Sequence, residues 1–84
     1  MSKVTIYTTM FCSYCHRAKK LLERKGVAYE EIDVGFDPLL RSEMEEKAGR
    51  STVPQIWIGD RHVGGCDDLY ALERSGELER MLAE

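Results

Sequence analysis

Two cysteines separated by two residues are the side chains in this sequence best suited to chemistry. They are Cys12 and Cys15, with Ser13 and Tyr14 between them, and they lie between a β-branched stretch and a stretch with helical periodicity. At the start of a helix, cysteines with this spacing lie about one turn apart and can close a disulfide. A C-x-x-C sequence beside a β-α-β pattern is typical of thiol–disulfide exchange.

The predicted helix gives the two cysteines different roles. Cys12 lies near the N-cap, where unpaired backbone N–H groups and the helix dipole stabilise a thiolate. Arg17, Lys19 and Lys20 follow on the same helix and add to the positive field. Cys15 is one turn further in and points toward the apolar stripe of the helix, so it is less accessible. We therefore predict that Cys12 is the nucleophile and Cys15 the resolving thiol.

Cysteines with this spacing also have three other uses in proteins. Cys12 and Cys15 followed by His16 match the attachment sequence of c-type haem, but such proteins are exported and no signal peptide is evident. A zinc site would add His16 and Cys66, yet His16 points about 100° away from Cys15 around the helix and a second C-x-x-C pair is missing. Burial as inert structural cysteines is the third alternative. The redox interpretation is favoured over all three.

Composition narrows the class of protein further. Hydrophobic residues make up 43% and charged residues 32% of the 84-residue chain, which is typical of a globular fold. The net charge of −3 gives no general case for nucleic-acid binding, and no apolar stretch is long enough to cross a membrane. Three cysteines are too few, and odd in number, for a secreted disulfide scaffold. We expect a single domain spanning residues 1–84, monomeric and cytoplasmic.

The elements that must position the cysteines follow from periodicity and from turn residues. Strands are predicted at 3–9, 27–34, 53–58 and 61–63; helices are predicted at 13–25 and 38–48, from 66 to an interruption at 75–76, and at 78–82. The first two strands are joined by a helix and must be parallel, whereas the last two form a hairpin. The predicted fold class is α/β, in the order β-α-β-α-β-β-α, with a four-stranded mixed sheet flanked by helices.

Three motifs along the chain resemble those of one protein family. They are Tyr7-Thr8-x-x-x-Cys12-x-Tyr14-Cys15, then Ser51-Thr52-Val53-Pro54-Gln55-Ile56, then Gly64-Gly65-Cys66-Asp67-Asp68-Leu69. Together they are similar to the small dithiol glutaredoxins. The resemblance implies a thioredoxin fold and glutathione-dependent reduction of protein disulfides and of glutathione mixed disulfides. Glutathione is then the co-substrate, disulfide-containing or glutathionylated proteins are the partners, and no permanent cofactor is expected.

The resemblance also implies where glutathione binds. Val53 and Pro54 would form a cis peptide bond whose backbone pairs with the cysteinyl unit, and the helix start at Gly65 and Cys66 would hold the γ-glutamyl carboxylate. By the same resemblance, Asp67 would pair with the glutathione amino group, Tyr14 would form a wall of the groove, and Arg41 would bind the glycyl carboxylate. The predicted glutathione-binding residues are Tyr14, Arg41, Thr52, Val53, Pro54, Gly65, Cys66 and Asp67. Simple helix capping, an edge-strand proline and solvated side chains are the structural alternatives.

Two positions depart from the family pattern. Ser13 stands where proline is usual, and Thr9 stands where the family often has a lysine. Some family members with serine there hold a [2Fe–2S] cluster between two subunits through the first cysteine and glutathione, so a cluster-binding dimer with Cys12 as ligand is one alternative function. A thioredoxin-like electron donor reduced by a flavoprotein reductase is another.

Overall fold

The computed structural model describes residues 2–84 and contains one four-stranded sheet. The strands are β1 (Val4–Thr8), β2 (Tyr29–Asp33), β3 (Gln55–Ile58) and β4 (Arg61–Gly64), in the spatial order β2-β1-β3-β4. β1 is parallel to β2 and antiparallel to β3, and β3 and β4 form an antiparallel hairpin. The mixed sheet predicted from the sequence is confirmed.

Four helices cover the two faces of this sheet. They are α1 (Ser13–Arg24), α2 (Pro38–Ala48), α3 (Cys66–Ser75) and α4 (Glu77–Ala83). Because side chains alternate along a strand, β1 directs Val4 and Ile6 toward the core formed with α1, α3 and α4. Tyr7 faces the other way, toward the smaller core that α2 completes with Met44. Of the helices in residues 2–84, none combines the length and the apolar character needed to cross a membrane.

β2 and β3 each begin two residues later than the sequence predicts, and each has a local reason. Val27 donates its backbone N–H to the carbonyl of Leu22, and Gly26 has a φ of 71°, so the chain stays attached to the end of α1 and β2 begins only at Tyr29. The Val53–Pro54 peptide bond is cis, and β3 begins after it, at Gln55. The predicted cis bond is therefore present.

The strand register brings three segments together at one end of the strands. Tyr7, near the end of β1, pairs with Gln55 at the start of β3, and Gly64 at the end of β4 pairs with Ile56. The loop that leads into α1, the loop that precedes β3 and the turn that leads into α3 consequently meet. These are the segments that carry the three sequence motifs.

Candidate active site

Cys12 caps the N-terminus of α1 with its own sulfur. Its backbone is extended (φ −135°, ψ 105°), and its Sγ accepts a hydrogen bond from the backbone N–H of Cys15 at 3.0 Å. The side chain is partly exposed, and the first turn of α1 contains no acidic residue. A sulfur in this position receives a peptide N–H and the positive end of the helix dipole, both of which stabilise negative charge.

Cys15 lies directly behind Cys12 and is shielded from solvent. Only 1% of it is exposed, and it is one of three free thiols in the structure. Burial, together with the hydrogen bond and the charge of the Cys12 sulfur, raises the pKa of the Cys15 thiol to about 12. Cys15 therefore stays protonated at neutral pH while Cys12 faces the solvent.

The loop before β3 forms the second side of the site. The carbonyl oxygen of Val53 lies 3.8 Å from the Cys12 Sγ. A Cβ added at Gly65 would lie 3.4 Å from the carbonyl oxygen of Pro54, so the backbone of the β4–α3 turn approaches this loop closely. This distance is an ordinary van der Waals contact, so the turn and the loop pack directly against each other.

A cleft of about 190 Å³ lies between these two backbones and α1. Its lining residues are Tyr14, Arg50, Thr52, Val53, Pro54, Gly65, Cys66, Asp67 and Asp68. Seven of the eight residues predicted from the resemblance are among them. The structure therefore brings those seven together next to the predicted nucleophile.

Arg41 is the predicted residue that does not line the cleft. Its Nη2 donates to the carbonyl of Ser51 at 2.7 Å, and its Nε is 3.5 Å from a carboxylate oxygen of Glu45. Arg41 therefore supports the loop that carries Thr52 from behind. The cation inside the cleft is Arg50, which the sequence analysis missed although it immediately precedes the second motif.

The start of α3 is held by Asp68. Its Oδ2 accepts the backbone N–H of Gly65 at 2.9 Å and lies 3.0 Å from Nη1 of Arg50. The hydrogen bond from Gly65, and to a lesser extent the ion pair with Arg50, lowers the pKa of Asp68. Gly64 has a φ of 115°, and a Cβ there would overlap the Asp68 carboxylate. Helix capping, the structural alternative to ligand binding at the start of α3, is therefore carried out by Asp68.

Asp67 is left facing the cleft. It is exposed, and within residues 2–84 no hydrogen bond or ion pair engages its carboxylate. Cys66 is 5% exposed, and burial raises the pKa of its thiol. Tyr14 is 54% exposed at the mouth of the cleft, with the guanidinium of Arg17 5.8 Å from its ring centre. The site thus offers one accessible sulfur, an uncommitted carboxylate and a guanidinium.

Comparison with known proteins gives a consistent result. The family model described as Glutaredoxin matches residues 4–63. A glutaredoxin of Pseudomonas aeruginosa is 60% identical over 83 residues, which cover 99% of each chain. The solution structure of a glutaredoxin from Brucella melitensis has a TM-score of 0.88 and 58% identity, covering 98% of this chain and 89% of that one. The crystal structure of a buckwheat glutaredoxin–glutathione complex has a TM-score of 0.90 and 30% identity, covering 98% of this chain and 77% of that one.

Proposed function

The chain belongs to the glutaredoxin family of thiol–disulfide oxidoreductases, which have the thioredoxin fold, and we propose that it draws its electrons from glutathione. The substrates of this proposal are protein disulfides and mixed disulfides between proteins and glutathione. The observation that carries the proposal is the position of the Cys12 sulfur: it caps α1 and lies 3.8 Å from the carbonyl oxygen of Val53, which lines a cleft that also contains charged side chains.

With a glutathione mixed disulfide, Cys12 acts alone. Its thiolate attacks the glutathione sulfur, a Cys12–glutathione disulfide forms, and the client leaves as a thiolate that takes up a proton. A second glutathione thiolate then attacks the glutathione sulfur bonded to Cys12. Oxidised glutathione leaves, and the Cys12 thiolate is restored. One glutathione thiol is consumed in each cycle, because the other half of the oxidised glutathione comes from the mixed disulfide itself.

With a protein disulfide, Cys15 completes the exchange. Attack by Cys12 gives a mixed disulfide with the client, which Cys15 breaks by forming the Cys12–Cys15 disulfide; two glutathione molecules then reduce that bond. The hydrogen bond and the charge of Cys12 both help to raise the pKa of Cys15. Once Cys12 is part of a disulfide its charge is gone, so the pKa of Cys15 falls at the step where its thiolate is needed.

The charges in the cleft suit a zwitterionic peptide such as glutathione. The Gly65 N–H is already bound to Asp68, which leaves the N–H groups of Cys66 and Asp67 for the γ-glutamyl carboxylate. The uncommitted Asp67 carboxylate can accept the amino group, and Arg50 can pair with a carboxylate of the ligand. The backbone of Thr52 and Val53 forms the wall next to Cys12. The buckwheat glutaredoxin–glutathione complex supports this assignment by its overall similarity.

We also propose that the whole chain works as one domain in the cytoplasm. The start of α3 contributes to the cleft, and α4 packs into the same core as α1 and β1. The proposed cycle needs a pool of reduced glutathione, which is the condition of the cytoplasm.

A coupled assay tests the proposal. The protein is mixed with a glutathionylated peptide, glutathione, glutathione reductase and NADPH, and NADPH consumption is followed. We expect turnover that depends on glutathione and none when thioredoxin reductase replaces both glutathione and glutathione reductase. Turnover only with thioredoxin reductase would favour the alternative of a thioredoxin-like electron donor, and no turnover in either mixture would reject the proposal.

Cluster binding is a second candidate, favoured by one structural neighbour. A structure titled "Metal Binding of Glutaredoxins" is 57% identical, with a TM-score of 0.75. Residues 2–84 contain no group of three or more His, Cys, Asp or Glu side chains that could hold a metal ion, so a cluster would need Cys12 from two chains together with glutathione. Ser13 is exposed at the first position of α1, next to Cys12. A colourless monomer after anaerobic reconstitution with iron, sulfide and glutathione would reject this candidate.

A further inference from the structure

A buried amide lies behind the cleft wall. Gln55 is 0% exposed, and its Nε2 donates to the carbonyl oxygen of Thr52 at 3.0 Å and to the Thr52 hydroxyl at 3.3 Å. Its Oε1 lies 2.7 Å from Nε2 of His62 on β4. A continuous chain of hydrogen bonds therefore runs from the edge strand of the sheet to the loop that forms one side of the cleft.

The sheet register explains why these side chains meet. Gln55 and Trp57 are two residues apart on β3 and share a face, and His62 pairs with Trp57 across the hairpin. His62 is thus a diagonal neighbour of Gln55, within reach of a long side chain. The rings of His62 and Trp57 pack against each other with their centres 4.6 Å apart and their planes at 32°, which helps to hold the imidazole in position.

We propose that His62 and Gln55 are positioning residues for the glutathione cleft. The Thr52 carbonyl can only accept, so the Gln55 NH₂ points toward it and Oε1 points toward β4, where the His62 tautomer with a proton on Nε2 donates to it. In the reversed orientation, Oε1 would face the Thr52 carbonyl oxygen, two acceptors would meet, and the NH₂ would lose its partners. The pair therefore holds the Thr52 backbone in one place. The consequence for glutathione rests on the proposed function, because Thr52 is one of its predicted contacts.

Two substitutions at His62 separate its hydrogen bond from its stacking. His62→Phe keeps a ring against Trp57 but cannot donate to Gln55, whereas His62→Gln loses the ring but keeps an NH₂ donor. Loss of one neutral hydrogen bond corresponds to about a two- to tenfold change in an equilibrium. We expect His62→Phe to raise the KM for a glutathionylated peptide by that factor with kcat within twofold, and His62→Gln to stay near the wild type.

A second measurement does not depend on glutathione. In the ligand-free protein, the side-chain amide protons of Gln55 should exchange slowly with solvent, and His62→Phe should accelerate that exchange more than His62→Gln at similar thermal stability. An unchanged KM and unchanged exchange in His62→Phe would overturn the inference, as would equal effects of both variants. Failure of the proposed function would look different, because the wild-type protein itself would then show no glutathione-dependent turnover.

Discussion

Two helices begin at the same edge of the sheet, and they accommodate charge in opposite ways. α1 is capped by the Cys12 sulfur, has no acid in its first turn and continues with basic residues. α3 is preceded by Gly65, and its first turn contains Asp67 and Asp68, of which Asp68 binds the Gly65 N–H. At α1 the positive end of the helix dipole acts on the Cys12 sulfur, the proposed nucleophile, whereas at α3 it is offset by the carboxylates of Asp67 and Asp68.

In the proposed function, this difference separates the reacting sulfur at α1 from ligand recognition at α3. At α1, the partly exposed Cys12 sulfur accepts a peptide N–H and lies at the positive end of the helix dipole. At α3, Asp68 is occupied as a cap and as the partner of Arg50, whereas Asp67 stays available. Substitutions at the first helix start should therefore change the rate of chemistry, and substitutions at the second should change ligand affinity or stability.

The largest effects are expected at α1. Cys12→Ser should reduce every exchange activity to background, because a serine hydroxyl does not attack disulfides at neutral pH. Cys15→Ser should keep the reduction of glutathione mixed disulfides, since glutathione can attack the Cys12–glutathione bond from outside. The same variant should lose most reduction of protein disulfides, where the intramolecular attack by Cys15 is the fast step. Steady-state rates with both substrates measure these effects.

Cys66→Ser is the matched control for these variants. Cys66 lines the same cleft but is buried and starts α3, so we expect its replacement to change both activities far less. If Cys15→Ser lost the reduction of glutathione mixed disulfides as completely as Cys12→Ser, the division into nucleophile and resolving thiol would be wrong.

Alkylation can sharpen the contrast within α1. Burial raises the pKa of the Cys15 thiol, so the thiol stays protonated at pH 8, and burial also restricts access of the reagent. We therefore expect iodoacetamide to modify one cysteine rapidly in the native protein at pH 8, and all three in urea. Mass spectrometry of peptides would identify the site. Rapid modification of Cys15 in the native protein would contradict the burial on which its role depends.

The sequence predicts the fold well because its elements depend on local patterns. Alternation in β1 and the glycines that end α1 and α2 are visible in the chain, and the structure confirms the elements they imply. Elements whose boundaries depend on tertiary contacts are predicted less accurately. β2 begins late because Val27 stays hydrogen-bonded to α1, which no periodicity could indicate.

The site was predictable where its residues belong to motifs. Cys12 and the cleft residues of the second and third motifs were found in this way. Arg41 and Arg50 are both single basic residues in the sequence, and only the packing of the loop before β3 shows which one faces the cleft. Likewise, only the structure shows that Asp68, and not Asp67, accepts the Gly65 N–H, because two adjacent aspartates look alike in the sequence.

Asp67→Asn should weaken the use of substrate without altering the fold. Its carboxylate makes no contact within residues 2–84 and faces the cleft, so its loss removes one ion pair with the ligand amino group. A partly exposed charged hydrogen bond of this kind corresponds to about a three- to tenfold rise in KM for a glutathionylated peptide. Steady-state kinetics and urea unfolding of the same sample measure the two properties. Unchanged kinetics would show that Asp67 only adds charge to the helix start.

Asp68→Asn should lower the stability only slightly, and the pH dependence of that loss should identify its cause. The Gly65 N–H and Arg50 lower the pKa of Asp68, so its contribution to stability is present above the ordinary aspartate pKa and disappears as pH falls through the lowered value. Because the side chain is 44% exposed, we expect a loss of only about 0.5–1 kcal/mol at pH 7. In urea unfolding, the difference from the wild type should stay constant from pH 7 to about pH 5 and shrink below about pH 4. Asp67→Asn, measured in parallel, should show a smaller difference at pH 7. A loss in Asp68→Asn that persisted undiminished at the lowest pH would mean that shape, rather than charge, makes Asp68 the cap of α3.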